Sequence, residues 1–429
     1  MMEIGVLFVV MFGLMALGAP IFLAMLIAVL VTLVIGDYGS ATALPTQMAA
    51  GVDSYELLAI PFFILMGSLM SKAGLTERIV AFLMYFIGGI KGGLAYTVIG
   101  ASAFASTVSG SAPAAASMIG SSMLPMMKRS GYRQEFSAAV VASSAVLGPV
   151  IPPSVPMVFV ALVTSLSVGQ LFMAGIVPGV LLIAGLFLVV VLRSRGTARI
   201  PDTAAVNPYR EAGLRAVTVR AVPALLTPIL IIAGVIGGFA TVTEISILSS
   251  AYVLVLGLVY KSLDLRSVFQ VFSQTALFSA TIMMIFAAVG GFTYIVALTR
   301  LGTRVDEFVQ DAGFGPVTFL LLTMLLFLLL GTIMDAIPAI LIFVPVLLPS
   351  AIALGIDPIH YSAMIVVNLM VGLITPPVGA LLFVTTKLAR VQFSPLVREA
   401  VPFILVYFVV VVLTTFIPAL TAGLPGLLF

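Results

Sequence analysis

Two short stretches of this chain share an unusual pattern: GPVIPPS at 148–154 and GLITPPV at 372–378, each inside a long apolar run. Proline lacks a backbone N–H, and its ring clashes with the preceding helical turn. Each stretch therefore unwinds a segment that would otherwise be one continuous helix. Carbonyls that lose their donors in hydrocarbon are costly unless something satisfies them. A small hard cation does so, because such ions prefer neutral or anionic oxygens. The half-helix that follows presents bare N–H groups and a positive dipole end, which suit an anion. Each break is suited to a cation on one side and a carboxylate on the other. For either motif alone a plain proline kink is the simpler reading. Two at equivalent positions, each after an interrupted helical hairpin, weigh against it.

The interrupted hairpins supply the remaining groups. TVIGASAFASTVSGSAPAAASMIGSSMLP, residues 97–125, would span about 43 Å as one straight helix, too long for a hydrocarbon core of about 30 Å. Ser109-Gly110-Ser111 and Pro113 sit at its middle. A break there gives two legs of about 12 residues, a re-entrant hairpin with its tip near the midplane. The counterpart at 317–349 has GTIMDAIP, Gly331 to Pro338, at its middle, and Asp335 is the only acid between Asp311 and Asp357. A carboxylate at such depth is expensive and by default functional; the plainer alternative is a hydrogen-bonded Asp that fixes the tip. The first set of cation oxygens is Ser106 and Ser109, with Gly148, Ile151 and Pro153 through backbone groups. The second is Gly331 and Thr332, with Gly372, Thr375 and Val378. Hydroxyls and carbonyls without a carboxylate cage point to sodium, at two or more sites, rather than calcium; lithium and proton coupling are the alternatives.

The elements that hold these groups follow from composition. The 429 residues are 62% hydrophobic and 8% charged, with mean hydropathy +1.29, whereas a soluble chain carries about 25% charged residues. The solvent for most of the chain is lipid, and the length allows roughly ten to fourteen crossings or half-crossings. Segments this continuously apolar are not barrel strands, so the expected fold is an all-α polytopic membrane protein. The net charge of +3 is read as Lys and Arg held at the cytoplasmic face, not as attraction to nucleic acid. Zero Cys excludes disulfides and thiol chemistry. One His makes a protein-built zinc or haem site improbable. MMEIG has no basic n-region, so no cleavable signal is expected.

The two halves repeat. An offset of 224 relates Gly148 to Gly372, Pro125 to Pro349, Gly131 to Gly355 and Gly67 to Gly291. The expected organisation is a first repeat over 1–192, with its hairpin at about 97–127 and broken helix at about 137–165. A basic cytoplasmic linker follows over 193–220, with six Arg against Asp202 and Glu211. The second repeat covers 221–429, with its hairpin at about 317–349 and broken helix at about 362–386. After Pro125 the chain reads MMKRSGYR, but after Pro349 it reads SAIALGIDPIH without Lys or Arg. If positive charge marks the cytoplasm, the repeats are inverted.

Four other features have plain readings. Glu244 in TVTEIS is expected to cap a helix with Thr241 or Thr243, with a transport role as the lesser alternative. His360 is expected to lie solvated in the loop after the second hairpin. The small-residue run AAAS at 114–117 suits helix packing. Asn368 serves equally well as packing or as a group that holds the break open. With no Cys, one loop His and no acid pair inside a span, the chain offers no nucleophile and base within reach, and an intramembrane enzyme is excluded. An ion channel also uses broken helices, but paired midplane sites in inverted repeats suit alternating access better.

SGSA at 109–112, LFMAGIVPGVL at 171–181, LGPVIPPS at 147–154, TVTE at 241–244 and NLMVGLITPPVG at 368–379 together resemble the large membrane subunit of TRAP transporters, the tripartite ATP-independent periplasmic carriers. The resemblance covers essentially the whole chain. It implies sodium-coupled import of a small organic anion, such as sialic acid, a C4-dicarboxylate or a related carboxylate, across the bacterial inner membrane by an elevator mechanism. It also implies two partners, a separate small membrane subunit of about four helices and a periplasmic substrate-binding protein. In that arrangement Ser109, Ser154 and Asp335 face the substrate between the two cation sites. Val242 stands where proline is common in the family, and Pro113 is expected to stiffen the start of the second hairpin leg. A stand-alone ion-coupled anion transporter of similar architecture is the alternative.

Overall fold

The computed structural model describes residues 2–36, 42–196 and 213–429, and the side chains of these except at 106–109, 195 and 196. Among the described residues every regular element is a helix. The first apolar block folds back on itself as α1 (Met2–Ala16) and α2 (Ile21–Ile35), which pack together. α3 (Ala43–Val52), α4 (Ala59–Lys72) and α5 (Leu75–Ile87) follow. α6 (Gly93–Ser109) and α7 (Ala112–Arg129) form the first hairpin. α8 (Gln134–Ala145) and α9 (Val155–Thr164) are the two pieces of the first broken helix, and α10 (Val168–Gly196) ends this half. The second half runs through α11 (Leu214–Ile236), α12 (Val242–Val259), α13 (Leu265–Leu298) and α14 (Leu301–Asp311). Its hairpin is α15 (Pro316–Ile333) and α16 (Ala336–Ala353), and its broken helix is α17 (Pro358–Gly372) and α18 (Ala380–Ala389). α19 (Phe393–Phe416) and α20 (Gly423–Leu428) complete the chain. Eight helical segments among the described residues are long and apolar enough to cross a membrane.

The 224-residue offset carries into these elements. It brings the starts of α6, α7, α8 and α9 to within one residue of the starts of α15, α16, α17 and α18. Packing follows the same exchange: α7 lies against α18, and α16 lies against α9. Both breaks contain a cis bond at the equivalent place, Pro152–Pro153 and Pro376–Pro377.

Element boundaries differ from the hydropathic ones for reasons visible in the caps. The hairpins span 93–129 and 316–353, and their legs have 17 and 18 residues and 18 and 18 residues, not about 12. Hydropathy loses a helix at its polar end, yet α7 continues through Lys128 and Arg129, whose charges complement its C-terminal dipole. Pro316 and Pro358 occupy first turns, where no intrahelical donor is missed. Pro113 does the same in α7. The broken helices span 134–164 and 358–389. α10 and α11 extend into the expected linker, while 197–212, including Asp202 and Glu211, lie outside the described residues.

The expected cap on α12 is present as a reciprocal capping box. Thr241 Oγ1 accepts from the Glu244 N–H at 3.3 Å, and the Thr241 N–H donates to Glu244 Oε2 at 2.7 Å. His360 requires a correction. It is not solvated but 1% exposed, in the first turn of α17. Its Nδ1 lies 2.6 Å from Thr421 Oγ1 and its Nε2 lies 3.2 Å from the Thr415 carbonyl. Asp357 and Pro358 begin a helix here: the Asp357 carboxylate accepts from the His360 N–H at 2.8 Å.

α8 is buried from Phe136 to Ala145, and α17 from Ile359 to Gly372. Protein therefore surrounds the first piece of each broken helix, while the second break is exposed at Pro376 to Val378 and borders a cavity through Val378. Irregular backbone at membrane depth is tolerated where it is buried in protein or lines such a cavity. One ion network fastens this interior. Glu399 on α19 has a side chain 8% exposed and receives Arg193 at 2.8 Å and Arg133 at 3.2 Å. Glu399→Gln leaves Arg193 without its counter-charge and Arg133 with only Glu135, 3.7 Å from its Nε. With both arginines partly solvated, the expected loss is about 1–3 kcal/mol, read as a lower thermal unfolding midpoint of the detergent-solubilised protein. An unchanged midpoint would reduce the network to a surface contact.

Candidate functional site

The two breaks are closed by related bonds. In the second, the Leu381 N–H donates to the Leu373 carbonyl at 3.0 Å across the unwound stretch. The equivalent groups in the first are Met157 and Pro149, and there Ser154 stands between them. Its hydroxyl donates to the Pro149 carbonyl and accepts from the Met157 N–H at 3.3 Å. The counterpart of Ser154 is Val378, which has no hydroxyl, so that bond is direct. Ser154 is fully buried and caps α9.

These closures leave most of the unwound carbonyls unmatched. Among the described residues no donor reaches the carbonyls of Gly148, Ile151 and Pro153, nor those of Thr375 and Val378. The last-turn carbonyls of α15 at Gly331 and Thr332 are likewise free of donors, as helix C-termini are. The Gly372 carbonyl accepts from the Thr375 N–H at 3.0 Å, and the Thr375 and Thr332 hydroxyls donate to Val371 and Leu329, both at 2.7 Å. Each hydroxyl retains lone pairs for a cation. Among the described residues no group of three or more His, Asp or Glu is gathered as a transition-metal site would require; oxygen donors of this kind suit an alkali cation.

Hairpin tips and breaks touch through glycines. A Cβ on Gly372 would lie 2.3 Å from the Gly331 carbonyl carbon, and one on Gly331 would lie 2.5 Å from the Leu369 oxygen. The second tip and second break are in backbone contact. At the first tip Gly110 has φ +58 and leaves room for Val155, whose Cγ2 would be 2.3 Å from an added Cβ. Asn368, one turn before Gly372, is fully buried; its Nδ2 meets Met364 Sδ at 2.8 Å and its Oδ1 has no partner.

Both tips converge on a cavity of about 820 Å³, within the range of small-molecule sites. Gly110 and Ser111 reach it from the first hairpin, Gly331, Thr332 and Asp335 from the second, and Pro149 and Val378 from the breaks. Asp335 is exposed there and caps α16 through a long contact of 3.4 Å from the Ile337 N–H. Of the residues expected to bind, the cavity thus gathers Gly331, Thr332, Asp335 and Val378. Gly148, Ile151, Pro153, Ser154, Gly372 and Thr375 are not in its lining. The side chains of Ser106 and Ser109 lie outside the described residues, although both positions belong to α6.

The part of the lining that α4 and α13 supply was missed. It includes Gly67, Ser68, Ser71 and Lys72 on α4 and Gln274 and Thr275 on α13. The signal was present as a small and polar stripe at i, i+1, i+4, i+5 in an otherwise apolar helix.

The family described as tripartite ATP-independent periplasmic transporter, DctM component, matches residues 8–420. The chain is 34% identical to the sialic acid TRAP transporter large permease protein SiaM of Vibrio cholerae, over 97% of this chain and 96% of that protein. It is 35% identical to the C4-dicarboxylate TRAP transporter large permease protein DctM of the same organism, over 100% and 98%. The isethionate TRAP transporter permease protein DctMQ of Oleidesulfovibrio alaskensis is 34% identical over 97% of this chain, which spans 66% of that longer protein. Among solved structures, the Alcanivorax borkumensis YdaH transporter has the same fold at TM-score 0.63 and 16% identity, covering 87% of each chain. The chain belongs to the DctM family of TRAP transporter large permease components, multi-pass proteins of the bacterial inner membrane.

Proposed function

We propose that this permease imports a small organic anion by sodium-coupled secondary transport, together with a small membrane subunit and a periplasmic substrate-binding protein. Relatives named for sialic acid, C4-dicarboxylates and isethionate support a carboxylate or a similar acid as substrate. The observation that carries the reading is the cavity where both hairpin tips and both breaks meet beside carbonyls that lack donors. Sodium ions bind through Ser106, Ser109, Gly148, Ile151 and Pro153 in the first repeat, and through Gly331, Thr332, Gly372, Thr375 and Val378 in the second. Asp335 and Ser109 face the substrate. Ser154, whose hydroxyl closes the first break, holds the α9 N-terminus in position toward it. The hairpins and broken helices move as one body against a frame that includes α4 and α13, as an elevator, and the repeats are inverted.

Inversion predicts that reporter fusions after Arg129 and after Gly355 report opposite sides of the membrane; the same side for both would refute it. The function is tested by reconstituting the chain with its cognate small subunit and binding protein and measuring uptake of labelled succinate, N-acetylneuraminate and isethionate, with and without a sodium gradient. Gradient-dependent, saturable uptake of one of them is expected. Single-channel current without saturable uptake would favour a pore.

A further inference from the structure

We propose that the α4–α13 wall is a second half-site for the transported anion, in which Lys72 holds its carboxylate and Thr275 and Gln274 bond its polar remainder. The proposal rests on the reading of the cavity as an organic-anion transport site and adds the residues that recognise the anion from the frame side. Among the described cavity-lining residues Lys72 and Asp335 are the only charged ones, and they come from different elements: Lys72 from the last turn of α4, Asp335 from the second hairpin tip. No carboxylate among the described residues lies within ion-pair distance of Lys72. An ammonium group facing a cavity without a protein counter-ion is a site for an anion.

Thr275 adds an independent observation. It is 7% exposed, it lines the same cavity, and its Oγ1 has no hydrogen-bond partner. A buried hydroxyl left unpaired costs free energy that a ligand can recover. Gln274 precedes it, exposed to the cavity, and α13 packs directly on α4, so the three groups belong to one surface. Ser68 and Ser71 continue it on the α4 side. An anion between Lys72 and the hairpin tips bridges the two sides of the cavity, and its carboxylate is farther from Asp335 than its neutral end.

The test uses the large and small subunits together in nanodiscs, in sodium buffer and without the binding protein, whose own affinity would mask the effect. Calorimetric titration with succinate and with N-acetylneuraminate gives Kd for each variant. Lys72→Gln is expected to weaken the better-bound probe by about tenfold. Lys72→Arg is expected to recover it to within about threefold, and Thr275→Val to weaken it about threefold. Wild-type affinity is expected to fall as choline chloride is added, and that dependence to flatten in Lys72→Gln. Wild-type affinity in Lys72→Gln, or no recovery in Lys72→Arg, overturns the half-site. If Asp335→Asn still loses binding in that case, the transport reading stands. Failure of the wild type to bind either probe removes both.

Discussion

Asp335→Ala is expected to reduce uptake of the transported anion by about 10- to 150-fold, the worth of a lost hydrogen bond to a charged group. The carboxylate has two separable duties. It caps α16 through the Ile337 N–H at 3.4 Å, and among the described residues it brings the one negative charge to the cavity lining. Asparagine caps a helix about as well as aspartate. Asp335→Asn therefore keeps the tip and removes the charge. If the charge serves substrate or cation, both variants lose uptake equally, and only the alanine variant unfolds at a lower temperature. Uptake at the wild-type rate in Asp335→Asn would assign the residue to capping alone.

Gly372→Ala is expected to lower sodium-driven uptake by about 100-fold. The added Cβ would stand 2.3 Å from the carbonyl carbon and 2.5 Å from the Cα of Gly331, and 2.7 Å from the Thr332 nitrogen. All three are backbone atoms, so no side chain can swing away, and the second hairpin tip must leave its break. Overpacking of this kind costs about 1–3 kcal/mol or more, spent where the second cation site is proposed. Gly423→Ala is the control, since its Cβ would meet only Ala419 at 3.9 Å. Normal uptake by Gly372→Ala, in proteoliposomes where Gly423→Ala also transports, would mean that tip and break need not touch during the cycle.

Much of this arrangement was legible because proline and glycine act locally. The paired Pro-Pro stretches, the small-residue hairpin tips and the 224-residue offset all mark places where backbone geometry is set by neighbours in sequence, and the helices break at those places. Thr241 and Glu244 were readable for the same reason. What could not be read depends on groups distant in the chain. Ser154 is the local exception: its partners, Pro149 and Met157, lie within five residues, but only the folded break shows that its hydroxyl stands where the second repeat has the direct Leu381–Leu373 bond. His360 looked solvated because its partners, Thr415 and Thr421, come more than 50 residues later. The Lys72 and Thr275 wall joins helices some 200 residues apart. Only the polar stripe on α4 hinted that one face of that helix meets something other than lipid.

The central claim is that carbonyls released at the two breaks bind the cations that drive transport. It is tested most directly by measuring 22Na+ entry alongside labelled anion in proteoliposomes that contain the large and small subunits with the loaded binding protein. Two or more sodium ions are predicted to enter with each anion, and Gly372→Ala is predicted to lower both fluxes together. Anion entry that proceeds at full rate without accompanying 22Na+ would contradict the account.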